Sequence, residues 1–311
     1  KIEYSYTTAW HTSCCFQFSF IRLHEVYGLV LTSYLTLARI HQTLSRIMNR
    51  SEIVKLAVFM LFAALPDLRA SEEPLNVLFI ISDDLTDTAL SCYGNEVCKT
   101  PNIDSIAARG TRFTHAYCQG TYCGPSRASF MSGYYPHAIK MLGYKSPRPM
   151  IGDRAMWAEH FKNNGYHTAR VSKIFHMGVP GGIEAGTDGA DDPRCWTQRF
   201  NSKGPEWKAP GLGWTLEGNP DGTVPVKGGN TFVVVEAEGD DLVHSDGRTA
   251  EKACQLIHEL KDRPFFLGVG FVRPHVPFVA PKKYYDPFDY DKMVLPPKVD
   301  GDWDDIPAAG I

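Results

Sequence analysis

Two short stretches of this chain constrain its fold more than any other feature. Leu75-Asn76-Val77-Leu78-Phe79-Ile80-Ile81 and Pro264-Phe265-Phe266-Leu267-Gly268-Val269-Gly270-Phe271 are almost unbroken apolar runs rich in β-branched and aromatic residues. Runs of this length and composition belong to strands buried on both faces, as in a parallel sheet covered by helices. Each stops abruptly in polar residues. Ser82-Asp83-Asp84 follows the first and Arg273-Pro274-His275-Val276-Pro277 follows the second.

Helices and further strands alternate between them. Residues 100–110 read as a helix with Thr100 as cap, Pro101 at its first position, Ile103, Ile106 and Ala107 as its apolar stripe and Gly110 as its stop. Residues 111–117 alternate enough for a strand. Cys123-Gly124-Pro125-Ser126-Arg127 then opens a short helix that Gly133 ends. A helix is predicted over 154–164, with Met156, Trp157, His160 and Phe161 at helical spacing and Gly165 ending it, and a strand over 167–175. Residues 180–229, rich in Gly, Pro and Asp, read as an irregular insertion over the surface. A short β segment at 231–235 and a helix over 246–261, with Ala250, Ala253, Leu256, Ile257 and Leu260 inward, complete the alternation. The pattern predicts an α/β fold with a largely parallel sheet.

The first 70 residues have a different character. Residues 1–47 carry no sustained period, and a short charged segment from Met48 leads into the apolar run 56–65, which Pro66 ends. That is the layout of a secretory signal peptide, too short to span a bilayer. The expected organisation is an upstream extension over 1–47, a signal peptide over 48–70 and the folded part over 71–311. Export to the periplasm or outside follows, or to the lysosome in a eukaryote. Of the eight cysteines, Cys14 and Cys15 lie in the leader, and Cys92 with Cys98 is the expected local pair among the rest. No Cys/His spacing suggests zinc. A formal net charge of −3 shows no basic excess for nucleic acid, so an anionic substrate must be attracted locally.

In open α/β sheets, ligands collect at the carboxyl ends of the strands. Asp83 and Asp84, Lys173 and His176, and His275 all fall there, while Cys123 opens a helix whose free N–H groups favour an anion. Each has an ordinary explanation alone: a capping Asp pair, a strand-end lysine with a satisfied histidine, a rigid turn, a free cysteine. Their coincidence at the ends of one sheet argues for a site.

Together these segments resemble the sulfatases of the alkaline-phosphatase superfamily, and within them the iduronate-2-sulfatase-like branch. The carriers are Asn76 through Asp84, Cys92-Tyr93-Gly94, Thr100-Pro101-Asn102-Ile103-Asp104, Cys123 through Gly133, Lys173-Ile174-Phe175-His176, and Arg273-Pro274-His275-Val276-Pro277-Phe278. The resemblance implies an alkaline-phosphatase-like sandwich, here truncated at its C-terminus. It also implies that Cys123 is oxidised by a formylglycine-generating enzyme to formylglycine, whose hydrate attacks sulfur. Asp83 and Asp84, with the hydrate at Cys123, would hold a divalent cation, Ca2+ or alternatively Mg2+. Arg127 would steady the hydrate, Lys173 and His275 would bind the sulfate oxygens, and His275 would assist the leaving alcohol. His176 would take the proton that lets sulfate depart. A sulfated saccharide is the implied substrate, with no nucleic-acid partner and no membrane span.

The family's other two metal ligands, an Asp followed by His or Asn, are expected beyond a later strand. No Asp-His-Gly occurs, and the sequence closes in the Asp-rich segment 300–305. Two rivals remain open: a non-catalytic remnant that binds sulfated glycans, and a phosphatase or phosphodiesterase of the same superfamily. Tyr134, Tyr135, His137, Trp196, Trp207 and Trp214 are candidates for stacking on sugars or for anchoring loops.

Overall fold

Sheet formation follows the apolar runs. The computed structural model describes Asn49, Ser51, Glu52, Lys55 and residues 74–215, 233–294 and 299–308. The chain divides into two units, residues 1–73 and 74–311. In the first, the Glu52 amide bonds Asn49 Oδ1 and Lys55 pairs with Glu52. Apart from these four residues, the expected extension and signal peptide lie outside the described residues.

In the second unit β1 (Val77–Ser82), β6 (Phe265–Phe271), β2 (His167–Ser172) and β3 (Gln198–Phe200) form a sheet in the order β1-β6-β2-β3, parallel throughout. Its two faces are covered by different partners. Phe265, Leu267 and Val269 of β6, with Ala169 and Val171 of β2, pack on Ala253, Leu256 and Leu260 of helix α6 (Ser245–Leu260). On the opposite face Phe266 joins Val77, Phe79 and Ile81 of β1. These meet Ala128 and Met131 of α2 (Cys123–Ser132), Ile151 of α3 (Arg148–Ile151) and Trp157 and Phe161 of α4 (Trp157–Asn163). A strand covered on both sides has no polar face, which is why β6 reads as a continuous apolar run.

β1 departs from that expectation. Among the described residues β1 lies at the edge of the sheet, and α6 covers β6 and β2 but does not reach it; Leu78 and Ile80 are 45% and 51% exposed. Other corrections have equally local causes. Residues 111–117 form no strand and are exposed throughout. Helix α1 (Pro101–Ala107) forms, but its predicted stripe is outward: Ile103 and Ile106 are exposed. Thr100 holds the cap position, yet its hydroxyl bonds Ser91 and Asp104 rather than the helix backbone. In α4 the inward polar residue is Glu159, held by Arg148 and Arg194, while His160 is exposed. In α6 Thr249 is buried and Ala250 is not.

The region 180–229 is more than a surface insertion. It supplies α5 (Gly181–Ala185), β3 and β4 (Gly211–Trp214), and buries Ile183, Asp192, Cys195 and Trp196. Arg170, fully buried on β2, binds Asp188 and Asp191 (2.9 and 2.8 Å) and Asn201 Oδ1 (2.6 Å). A lone charged side chain in a strand core is thereby satisfied. Residues 216–229 lie outside the described residues.

A second sheet runs β4-β5-β7, with β5 (Val234–Ala237) antiparallel to β4 and parallel to β7 (Phe278–Pro281). Of the predicted β segment 231–235, residues 231 and 232 are not described. Trp207 packs in this sheet's own cluster and Trp196 in the main core, so both are loop anchors rather than exposed platforms. All six described cysteines are free, Cys92 and Cys98 included. Among the described residues no helix is long and apolar enough to cross a membrane.

Candidate active site

The predicted residues converge at the C-terminal ends of β1, β2 and β6, facing the first turn of α2. Two strands end in the same way. β1 leads to Asp83 and then to Asp84 in the left-handed region (φ 60°); β2 ends on Ser172 (φ 59°) and delivers Lys173. These turns send one side chain inward at once: Asp83 and Lys173 are buried, whereas Asp84 is 57% exposed at its side chain. Asp84 caps nothing; the next turn is capped by Thr86.

Asp83 is the hub. Its Oδ1 accepts from Arg127 Nη2 at 2.7 Å, and its Oδ2 is in ion-pair contact with Lys173 Nζ. Arg127, one turn into α2, also donates to the carbonyls of Lys173 and Ile174, tying the helix to the end of β2. Burial alone would raise the Asp83 pKa, but Arg127 and Lys173 together hold it below the usual carboxylate range. For Lys173 burial prevails, aided by Arg127, and its pKa is lowered despite the Asp83 carboxylate. Two buried cations therefore share one buried carboxylate, and the second carboxylate, Asp84, stands exposed beside them.

Cys123 sits at the first position of α2 with Sγ 3.2 Å from His176 Nδ1. Burial chiefly, with Asp83 and Asp84, raises the thiol pKa against the pull of Lys173 and Arg127. His176 is pushed down to about 4, by burial first and then by Lys173 and Arg127. The pair at neutral pH is thus a thiol beside a neutral imidazole, not the thiolate and imidazolium of a nucleophilic cysteine site. His275 closes the far side, its Nε2 3.7 Å from Asp84 Oδ2 and 4.0 Å from Asp83 Oδ2.

A pH consequence follows for His176. Between its ordinary value near 6.5 and about 4, the unfolded chain takes up a proton that the folded site refuses. Stability should therefore fall as pH drops through that window. The His176 ring proton should titrate near pH 4 in an NMR series; a midpoint near 6.5 would contradict the buried, cation-flanked environment.

A hard divalent cation needs several oxygen ligands. Asp83 Oδ2, which faces Lys173, and the exposed Asp84 carboxylate both lie within 4.0 Å of His275 Nε2, so two carboxylate oxygen donors adjoin here, a donor set that suits such an ion. The thiol of Cys123 is soft and protonated and does not suit such an ion, whereas an oxygen at that position would. Among the described residues no cluster of three or more His, Cys, Asp or Glu is placed to hold a metal.

Three features went unseen in the sequence. Tyr144 stacks on His176 with ring centroids 4.1 Å apart, and Gly124 lets the Gly143 carbonyl and the Tyr144 ring approach α2, where a Cβ would lie 2.7 and 2.8 Å from them. Asp246 binds the backbone ahead of His275, although the sequence marked it only as a helix start. Gly270 is crossed by the Lys173 carbonyl, and nothing in a Gly-x-Gly strand pattern signals that contact.

A Sulfatase family model matches residues 75–296, about 71% of the 311 residues and all of the strand ends just described. The chain belongs to the sulfatase family. It is 33% identical to human iduronate 2-sulfatase over 231 residues, 73% of this chain and 40% of that protein. A sulfatase of Formosa agariphila is 31% identical over 243 residues, 76% of this chain and 46% of the relative. The chain thus spans less than half the length of these sulfatases. The solved phosphonate monoester hydrolase SpPMH of Silicibacter pomeroyi superposes with a TM-score of 0.50 at 19% identity, covering 73% of this chain and 46% of that one. The last comparison bears on the fold alone, an alkaline-phosphatase-like α/β architecture with a parallel central sheet.

Proposed function

We propose that this sulfatase hydrolyses a sulfate ester of a carbohydrate, in the manner of the iduronate-2-sulfatase-like branch, with Cys123 converted to formylglycine by a formylglycine-generating enzyme. One observation carries the reading: the Lys173 and Arg127 side chains are buried together against Asp83 beside the N-terminus of α2, which sets two cationic groups where a monoester anion would lie. Sulfate esters repel nucleophiles, so fixed positive charge around the equatorial oxygens is what the reaction requires. The similarity to human iduronate 2-sulfatase supports the substrate class.

In this reading the formylglycine hydrate at position 123 would supply one hydroxyl to attack sulfur, with release of the alcohol, and a second whose deprotonation would expel sulfate and restore the aldehyde. Asp83 and Asp84 would hold a divalent cation, Ca2+ or alternatively Mg2+, which when bound would supply charge stabilisation. Lys173 and His275 orient the sulfate, and His275 serves the departing alcohol oxygen. Arg127 fixes Asp83 and the start of α2 and offsets developing negative charge. His176, neutral at pH 7 and 3.2 Å from the Cys123 side chain, accepts the proton of the second hydroxyl. Its depressed pKa keeps the base form available. Export to an oxidising compartment accords with the apolar run at 56–65.

The expected result is that the peptide bearing Cys123, isolated from protein made in its own host, has lost its sulfur atom in mass spectrometry. The same preparation should release sulfate from one member of a panel of sulfated saccharides. An intact thiol, or turnover of phosphate esters only, would overturn the proposal. Binding of sulfated saccharide without release would favour the non-catalytic alternative.

A further inference from the structure

His275 stands on the short segment between β6 and β7, and that segment is held from behind by Asp246, Arg273 and Glu206. Asp246, in the first turn of α6, accepts from the backbone N–H groups of Val272 and Arg273, both at 2.8 Å. The Arg273 side chain then folds back along its own loop. Its Nε donates to the Val279 carbonyl (2.8 Å), its Nη1 to the carbonyl of His275 itself (3.0 Å), and its Nη2 is paired with Glu206 Oε2. The Arg273 carbonyl in turn accepts from Ser82 Oγ, one residue before Asp83.

We infer that Asp246 and Glu206 are positioning residues for His275, Asp246 fixing the backbone that enters the segment and Glu206 fixing the Arg273 fork that grips the His275 carbonyl. The inference rests on the reading of His275 as a sulfate-binding group. A cavity of about 560 Å3, lined by Glu206, Asp246, Arg273, His244 and Tyr284 among others, adjoins the segment; Val272 and Val279 pack at its two ends, and hydrogen bonds restrain the stretch between them. Burying these carboxyls is costly: burial pushes Glu206 up to about 7 against the pull of Arg273, and raises Asp246 as well. Glu206 is fully buried and its Oε1 has no hydrogen-bond partner among the described residues. Such an arrangement is costly for stability, and what it secures is the orientation of one loop.

The test uses the full chain and two readouts that need no turnover. Hydrogen exchange is followed in the peptide covering residues 272–280, and binding of inorganic sulfate is measured by calorimetry. Glu206→Ala should speed exchange in that peptide at least tenfold, leave residues 265–271 protected, and weaken sulfate binding about fivefold or more. Glu206→Gln retains an acceptor for Arg273 and should stay within twofold of the unaltered chain in both. Should Glu206→Ala not fold, Asp246→Asn is read in its place. It keeps the volume but can accept only one of the two N–H groups, and should show the same local loosening.

Unchanged exchange over 272–280 in a folded variant would overturn the inference, as would loosening with unchanged sulfate affinity. If the unaltered chain binds no sulfate, the functional reading falls and the sulfate role assigned to the clamp falls with it. The exchange data still decide in that case whether Asp246 and Glu206 hold the segment.

Discussion

Replacing Gly270 by alanine is expected to cost on the order of 3–5 kcal/mol, or to leave no soluble protein, although it adds one methyl group to a buried strand. A Cβ at this position would lie 2.1 Å from the Lys173 carbonyl oxygen and 2.2 Å from its carbon. Both are backbone atoms held by the Lys173 N–H to Gly270 carbonyl bond (3.2 Å) and by Arg127, so neither can yield without moving Lys173 off the site. Gly268, two residues earlier on the same face, is the internal control. There a Cβ would meet Cδ1 and Cγ1 of the Ile174 side chain at 3.1 Å, a contact with side-chain rather than backbone atoms that a shift of a few tenths of an ångström relieves, and the expected cost is about 1–2 kcal/mol. Urea denaturation of the two variants separates them. A Gly270→Ala protein as stable as Gly268→Ala would mean that the close crossing of β6 by Lys173 is not a feature of the native state.

That crossing also marks where the sequence stops being informative. The strand identity of β6, the helix identity of α2 and α6 and the strand-end location of Asp83, Lys173 and His275 all follow from local patterns, because apolar runs and helix stops are properties of neighbouring residues. Which face of an element is covered is not local. Leu78 and Ile80 satisfy the rule for a strand buried on both sides, yet lie exposed where α6 does not reach β1. Ile103 and Ile106 form a correct helical stripe that faces outward in the same way. The region 180–229 misled for the opposite reason. Its glycines, prolines and aspartates do make turns, but Asp188 and Asp191 are there to neutralise Arg170, whose burial on β2 no periodicity announces. The candidate site was legible as a set of residue types at strand ends. Its electrostatics were not, since the burial that keeps Cys123 a thiol and His176 neutral depends on the assembled core.

The electrostatic argument leads to the other large expected effect. Asp83→Asn keeps the shape of the side chain and one acceptor for Arg127, but removes the negative charge that Arg127 and Lys173 share. With side-chain exposures of 3%, 0% and 4% for Arg127, Lys173 and Asp83, solvent cannot substitute for it. Breaking a buried ion pair from one side costs about 3–5 kcal/mol, because the partner charge stays behind without compensation. The pH dependence gives the loss a signature. Since the folded Asp83 pKa is depressed, its contribution is complete above the ordinary carboxylate value and is lost as pH falls through the folded one. The difference between unaltered and Asp83→Asn protein in urea midpoint should therefore be greatest near neutrality and shrink on acidification. The alkaline side behaves differently. Burial already lowers the Lys173 pKa, and without Asp83 opposing it the ammonium should release its proton more readily, so the variant should regain part of its stability as pH rises. A difference that stayed constant from acid to alkaline conditions would show that Asp83 acts through shape and hydrogen bonding alone.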